Sequence, residues 1–177
     1  MDEIHIEPYD ARWPDMYRAE REIVEKLIPL AHLAIEHMGS TAVPGLAAKP
    51  VIDIIVLIDD LDEVRPYIPA LEASGYSYWA DNPDTSKLFL VKGLPPAPRR
   101  THHLHVYVDA NEFERHIRFR DILRADANLR HAYEALKFGL AERFRGDREA
   151  YTKSKEGFIA AALAGDPLPL QALASHA

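Results

Sequence analysis

The stretch Pro50-Val-Ile-Asp-Ile-Ile-Val-Leu-Ile58 constrains this chain more than any other, because it is apolar throughout except for one carboxylate, Asp53. A run of this length, rich in β-branched residues, reads as a buried strand. An unpaired carboxylate inside it is costly, so Asp53 needs a metal ion, a cation such as Lys49, or a place at the exposed mouth of the strand. Upstream, Gly39-Ser40-Thr41 forms a small polar turn after another apolar run. Gly39 permits close backbone approach, so neighbouring amides and the Ser40 and Thr41 hydroxyls can converge on an anion. Taken alone, Gly-Ser-Thr is more often an ordinary turn. An anion-sized turn beside a metal-sized carboxylate is what nucleotide chemistry requires.

The surrounding pattern supplies a scaffold. Trp13, Met16, Tyr17, Ile23, Val24, Leu27 and Ile28 recur at helical spacing, with Pro14 tolerated in the first turn and Pro29 at the end. The chain then predicts a short strand over 33–38, a short helical crossing over 43–48 and a central strand over 51–58. Residues 60–73 read as helix, kinked or broken by Pro66 and Pro69. Strands at 76–79 and 87–91, joined by an Asp81-Asn-Pro-Asp84 turn, and a strand at 102–108 after a Pro-rich loop complete a mixed sheet. The last third is helical. Asn111, three residues before Glu114, resembles a capping pair, and helices are expected over 128–145 and 147–163, the latter capped by Asp147. The expected fold class is α+β: a mixed β-sheet flanked by helices, with a helical C-terminal third.

With 177 residues, 47% of them hydrophobic, the chain suits one domain over 1–164, and residues 165–177, with Pro167 and Pro169, read as a flexible tail. The absence of cysteine excludes disulfides and thiolate zinc sites and fits a reducing cytoplasm. No apolar run approaches membrane-spanning length, and the N-terminus lacks the marks of a secretion signal, so a soluble cytoplasmic protein is expected. A net charge of −7 argues against extended nucleic-acid binding, which relies on many phosphate contacts from Lys and Arg. A small nucleotide needs only a local cationic pocket. Arg99 and Arg100, with Arg118, Arg120 and Arg124 downstream, can supply one, although a solvated face with ion pairs to Glu112, Glu114 and Asp121 is the more frequent reading for any one of them.

His103 and His105 alternate on the expected strand and share a face with Tyr107, while Leu104, Val106 and Val108 face the core. Two imidazoles so placed make a workable metal-ligand pair; by spacing alone, a solvated sheet face is an equal reading. His102 falls on the opposite face, and His37 is placed to orient the Gly39 turn by hydrogen bonding. Lys49 can pair with Asp53 or reach a phosphate oxygen. Lys155, four residues after Tyr151 on one helical face, reads most simply as snorkelling over the core. No Walker phosphate loop or Gly-x-Ser-x-Gly elbow is present, which sets aside kinase and serine hydrolase readings.

The run Gly39-Ser-Thr-Ala-Val-Pro-Gly-Leu-Ala-Ala-Lys-Pro-Val-Ile-Asp-Ile54, with Thr101-His-His-Leu-His-Val106 downstream, resembles the GrpB family of the DNA polymerase β-type nucleotidyltransferase superfamily. The resemblance extends from Trp13-Pro14 to Tyr151-Thr-Lys-Ser-Lys-Glu-Gly-Phe158. It implies a nucleotidyltransferase-like fold in which Gly39 and Ser40 form the phosphate turn and Asp53 is the first metal-binding acid. The superfamily's second acid corresponds to Ile55, and His103 and His105 stand where a neighbouring strand carries the third. Such a site implies a divalent metal, magnesium or manganese, or zinc, on Asp53, His103 and His105. Asp53 and Ser40 are thus the expected catalytic residues, with Gly39, Ser40, Thr41, Lys49 and Arg100 binding the phosphates of a nucleoside triphosphate. A related domain occurs fused to dephospho-CoA kinase, so the alternative is a catalytically degenerate module binding a nucleotide or CoA precursor. A histidine-based metal site performing hydrolysis is a third reading.

Overall fold

Strands in the computed structural model divide their side chains between two differently covered faces, and this division positions the site. The structure describes residues 3–30, 34–97 and 99–166. In chain order the elements are α1 (Trp13–Leu27), β1 (Ala34–Met38), β2 (Ile52–Leu57), α2 (Leu61–Val64), α3 (Ile68–Ala73), β3 (Tyr76–Tyr78), β4 (Lys87–Lys92), β5 (His102–Tyr107), α4 (Ala110–Ala125), α5 (Ala127–Arg143), α6 (Arg148–Lys153) and α7 (Glu156–Ala164). The sheet runs β1-β2-β5-β4-β3, with β2 parallel to β5 and the other neighbours antiparallel. The fold is α+β, a mixed sheet flanked by helices with a helical C-terminal third. The middle strand is β5 rather than the expected β2, because an apolar run reports that a strand is covered and not its rank in the sheet.

On one face, Ile52, Ile54, Val56, Leu88, Leu90, Leu104 and Val106 pack against Trp13, Val24 and Ile28 from the α1 end and Leu71 of α3. Each fully buried aliphatic side chain there contributes about 1.5–3 kcal/mol. On the other face, Phe113 and Ile117 of α4 lie against Met38, Ile55 and Tyr107. A third cluster joins Val43 and Leu46 to Leu123, Leu129, Tyr133 and Ala162, tying the chain after the Gly39 turn to the C-terminal helices.

Several expected elements differ in detail. Residues 43–48 are not helical; a 3-10 turn over Ser40–Ala42 comes first, and Gly45 takes a φ of 79°. The apolar side chains of Val43 and Leu46 are fully buried in a non-helical segment. The helix expected over 60–73 breaks into α2, a 3-10 turn at Arg65–Tyr67 and α3, with Pro66 and Pro69 each in a new first turn. The helix expected over 147–163 is α6 and α7, jointed at Ser154 and Lys155, which lets Tyr151 join one apolar cluster and Phe158 another. Asp147 caps α6 as expected, accepting from the Ala150 amide at 2.9 Å. The α4 cap is Asp109, which accepts from the Asn111 amide at 2.8 Å, so Asn111 lies inside the helix. The expected tail falls almost wholly on residues 167–177, outside the described residues. Among the described residues no helix is long and apolar enough to cross a membrane.

Candidate active site

Strand β1 delivers the chain into the turn. Gly39 adopts a φ of 72°, which favours glycine, and a Cβ there would lie 2.7 Å from Asp53 Oδ2, so any side chain would have to displace that carboxylate. Turn and carboxylate are therefore in contact. Behind the turn, His37 Nε2 lies 3.0 Å from Thr41 Oγ1, which donates to the Val51 carbonyl at 3.4 Å. The Thr41 hydroxyl is buried and committed to this chain of hydrogen bonds, leaving Ser40 as the more accessible hydroxyl. Burial, reinforced by Arg124 and Arg120 and opposed by Asp53, lowers the His37 imidazole to about 4.

Two of the arginines considered for a cationic pocket, Arg120 and Arg124, hold the turn. Arg120 donates to the His37 carbonyl and to Glu36, both at 2.8 Å, and also pairs with Asp121. Arg124 donates twice to the Ala42 carbonyl, at 3.0 and 2.8 Å. Both guanidinium groups are thus engaged by backbone and carboxylate oxygens that flank the turn. Arg100 stands two residues ahead of β5 on the incoming loop, with its Nε buried.

Parallel pairing sets Asp53 opposite His103. His103 Nδ1 lies 2.9 Å from Asp53 Oδ1 and His105 Nε2 lies 3.8 Å from the same oxygen. Burial would raise the Asp53 carboxyl, but hydrogen bonding and charge from His103 and His105 hold it well below its ordinary range. Burial lowers the His105 imidazole, against the pull of Asp53. One ligand atom from each of these residues lies within 4.8 Å of the others, a spacing that can hold a metal ion. His103 Nε2 and His105 Nδ1 are buried with no hydrogen-bond partner. A carboxylate and two imidazoles fit a divalent ion. Ile55, at the position corresponding to a second acid, is fully buried and packs with Phe113 of α4.

A group of lysines flanks the turn on the other side, and only Lys49 had been placed there from sequence. Lys49 Nζ and Lys155 Nζ lie 5.0 and 4.6 Å from the centroid of the Tyr151 ring, and Lys137 Nζ lies 5.2 Å from that of Tyr133. Lys137 is buried and donates to the Ala47 carbonyl. Burial, then repulsion from Lys155 and Lys49, lowers Lys137 to about 7, and burial with repulsion from Lys49 lowers Lys155 to about 8. Burial pushes the Tyr133 phenol up; the Asp53 charge adds to this and the Ser40 hydroxyl opposes it. Lys155 is therefore part of a cationic group rather than a lone snorkelling side chain. The available signal was the repeated spacing Tyr133-x-x-x-Lys137 and Tyr151-x-x-x-Lys155; the first puts Lys137 over its tyrosine on one helical face, and the second puts Lys155 over Tyr151 across the joint between α6 and α7.

A family profile described as GrpB protein matches residues 3–164. A UPF0157 protein of Pseudomonas aeruginosa is 43% identical over 160 residues, covering 90% of this chain and 66% of that protein. The chain thus spans about two thirds of that relative's length. The crystal structure of conserved protein GrpB from Enterococcus faecalis superposes with a TM-score of 0.80 at 30% identity, covering 91% of this chain and 98% of that one. The structure of Cid1 in complex with its short product ApU superposes with a TM-score of 0.55 at 14% identity, covering 78% of this chain and 43% of that one, a likeness of fold alone. By the match along residues 3–164 and the shared architecture, this chain belongs to the GrpB protein family.

Proposed function

We propose that this protein is a metal-dependent nucleotidyltransferase that moves a nucleoside monophosphate from a nucleoside triphosphate to a small acceptor. The observation carrying this reading is the contact between the Gly39 turn and Asp53, with His103 hydrogen-bonded to the same carboxylate. Gly39 and Ser40 receive the phosphates, and Lys49, Lys155 and Lys137 supply positive charge beside them. A polyanion would relieve the mutual repulsion of these ammonium groups. Arg100, at the same end of the sheet, is a further candidate for phosphate contact. Asp53, His103 and His105 would hold a divalent ion, magnesium, manganese or zinc, which when bound supplies Lewis-acid stabilisation to charge developing on the α-phosphoryl group.

In the reaction, the acceptor oxygen or nitrogen forms a bond to the α-phosphorus while the bond from that phosphorus to its bridging oxygen breaks. Pyrophosphate leaves with the electron pair, and the acceptor's proton passes to solvent. Asp53 remains ionised throughout, held so by the imidazoles beside it. With manganese, α-labelled nucleoside triphosphates and a small-molecule cell extract, pyrophosphate release should match labelled product. Asp53→Asn should abolish both, and Ser40→Ala should raise the KM for triphosphate. Undiminished release by Asp53→Asn would sink the assignment.

Ile55 favours a second reading, a module that binds a nucleotide or CoA precursor without chemistry. Its side chain is fully buried against the α4 contact, so this position offers no second carboxylate for a paired-metal site. Ligand-induced stabilisation without pyrophosphate release under any of these conditions would select that reading.

A further inference from the structure

The transferase reading leaves the acceptor unnamed, and the site face of the sheet bears on its chemistry. The pairing of β4 with β5 sets Phe89 opposite His105, and the Trp79 amide donates to the Phe89 carbonyl at 3.0 Å, carrying the same row one strand further. Because directly opposed residues share a face, Asp53, His103, His105, Phe89 and Trp79 all project from one side. The Phe89 ring lies 4.6 Å from the His105 ring and 5.3 Å from that of His103, centroid to centroid. The Trp79 ring meets Phe89 edge-on at 6.2 Å. The Asp–His group therefore runs without interruption into an aromatic shelf.

The shelf lies on the opposite side of the Asp53–His103 pair from the phosphate turn. The turn follows β1 and touches Asp53 on β2; the shelf lies on β4 and just beyond β3, across β5. In-line displacement needs the attacking atom and the leaving pyrophosphate on opposite sides of the α-phosphorus. With the leaving group among Ser40 and the lysines, the acceptor approaches over β5 and β4. Helix α4 covers β1, β2 and β5, whereas Trp79 is 48% exposed beyond it. Phe89 and Trp79 bring no charge to this approach, and ring faces of this kind attract planar π-systems.

We propose that Phe89 and Trp79 form the acceptor subsite, and that the acceptor is a small molecule carrying a planar aromatic ring next to its nucleophilic hydroxyl or amine. This inference rests on the transferase reading for the direction of approach, but ring binding is measurable without turnover. Trp13 is 2% exposed, so quenching of tryptophan fluorescence by a small solute reports on Trp79. Adenosine, uridine and tyramine should be titrated without metal or triphosphate, with ribose and ethanolamine as ring-free controls.

At least one ring compound should quench saturably while both controls do not. Phe89→Leu should weaken that binding by about tenfold, the scale of one lost stacking contact. Ring binding is read without metal, triphosphate or turnover, so a failed transferase reading and a failed shelf give different results. Should Phe89→Leu not fold, Trp79→Leu at its exposed position replaces it, with binding read by calorimetry. No saturable quenching by any ring compound, or quenching indifferent to Phe89→Leu, overturns the proposal. Concentration-dependent dimerisation abolished by Trp79→Leu also overturns it, by assigning the shelf to a second copy of the chain.

Discussion

The two faces of the sheet are made from the same strands but serve different ends. Along β5, Leu104 and Val106 enter a fully buried aliphatic layer under α1, while His103 and His105 point the other way toward Asp53 and Phe89. One face is a mainly aliphatic layer, although the Tyr76 hydroxyl and His102 Nε2 are buried in it without hydrogen-bond partners. The other keeps imidazole nitrogens buried and unpartnered beside a carboxylate. On the proposed reading, stability rests chiefly on the first face and chemistry on the second, as expected where binding groups are held in place by a rigid layer behind them.

The packed face holds a buried ion pair, and breaking it gives the largest expected effect. Glu20 is buried, with Lys92 Nζ 2.7 Å from its Oε1 and His102 Nε2 3.9 Å from its Oε2. Lys92→Met should cost about 3–5 kcal/mol in urea unfolding, because it strands a buried carboxylate, and adding Glu20→Leu should recover much of that loss. The comparison sharpens along β5 itself. Leu104→Ala should cost about 2–5 kcal/mol through the cavity it leaves. His105→Leu removes a buried Nδ1 lacking a partner and one of the two imidazoles beside Asp53, which keeps its shorter contact to His103, so it should cost less than Leu104→Ala while impairing metal binding. Equal destabilisation by these two substitutions would erase the distinction between the faces.

On the packed face His37 stacks on Tyr17 of α1, buried behind the turn with its imidazole lowered to about 4. The unfolded chain then binds more protons than the folded one between that value and 6.5. Stability is retained above pH 6.5 and falls as pH drops toward 4, by about 3 kcal/mol from this group. His37→Gln should flatten that part of the stability–pH profile. A smaller effect belongs to the helix covering the site face: Asp109→Ala removes the α4 cap and should cost about 1 kcal/mol, measured by thermal unfolding.

Much of this division was legible before the structure. Strand alternation separated His103 and His105 from Leu104 and Val106, and the cost of burying Asp53 alone required a partner, which the parallel pairing of β2 and β5 provides. The Gly39 turn was legible as a close approach, though not that the neighbour approached is Asp53 itself. Periodicity cannot report which distant segments converge. Lys137 and Lys155 lie roughly a hundred residues beyond Ser40, and only the packing of Val43 and Leu46 on the C-terminal helices brings them to the turn. Phe89 was read as one apolar residue of a strand, and its place against two imidazoles depends on the β4–β5 register. Arg120 and Arg124 were legible as cations, but their engagement with the His37 and Ala42 carbonyls depends on how α4 docks.

The most direct test of the central claim is the thermal unfolding midpoint with each nucleoside triphosphate, with and without manganese or magnesium, in wild type and Asp53→Asn. At a hundredfold its dissociation constant a ligand adds about 2.7 kcal/mol, a rise of roughly 5 to 10 °C for a chain of this length. The account predicts a rise that needs the metal and disappears in Asp53→Asn. A rise of equal size in the mutant, or no rise with any nucleotide and metal, would contradict it.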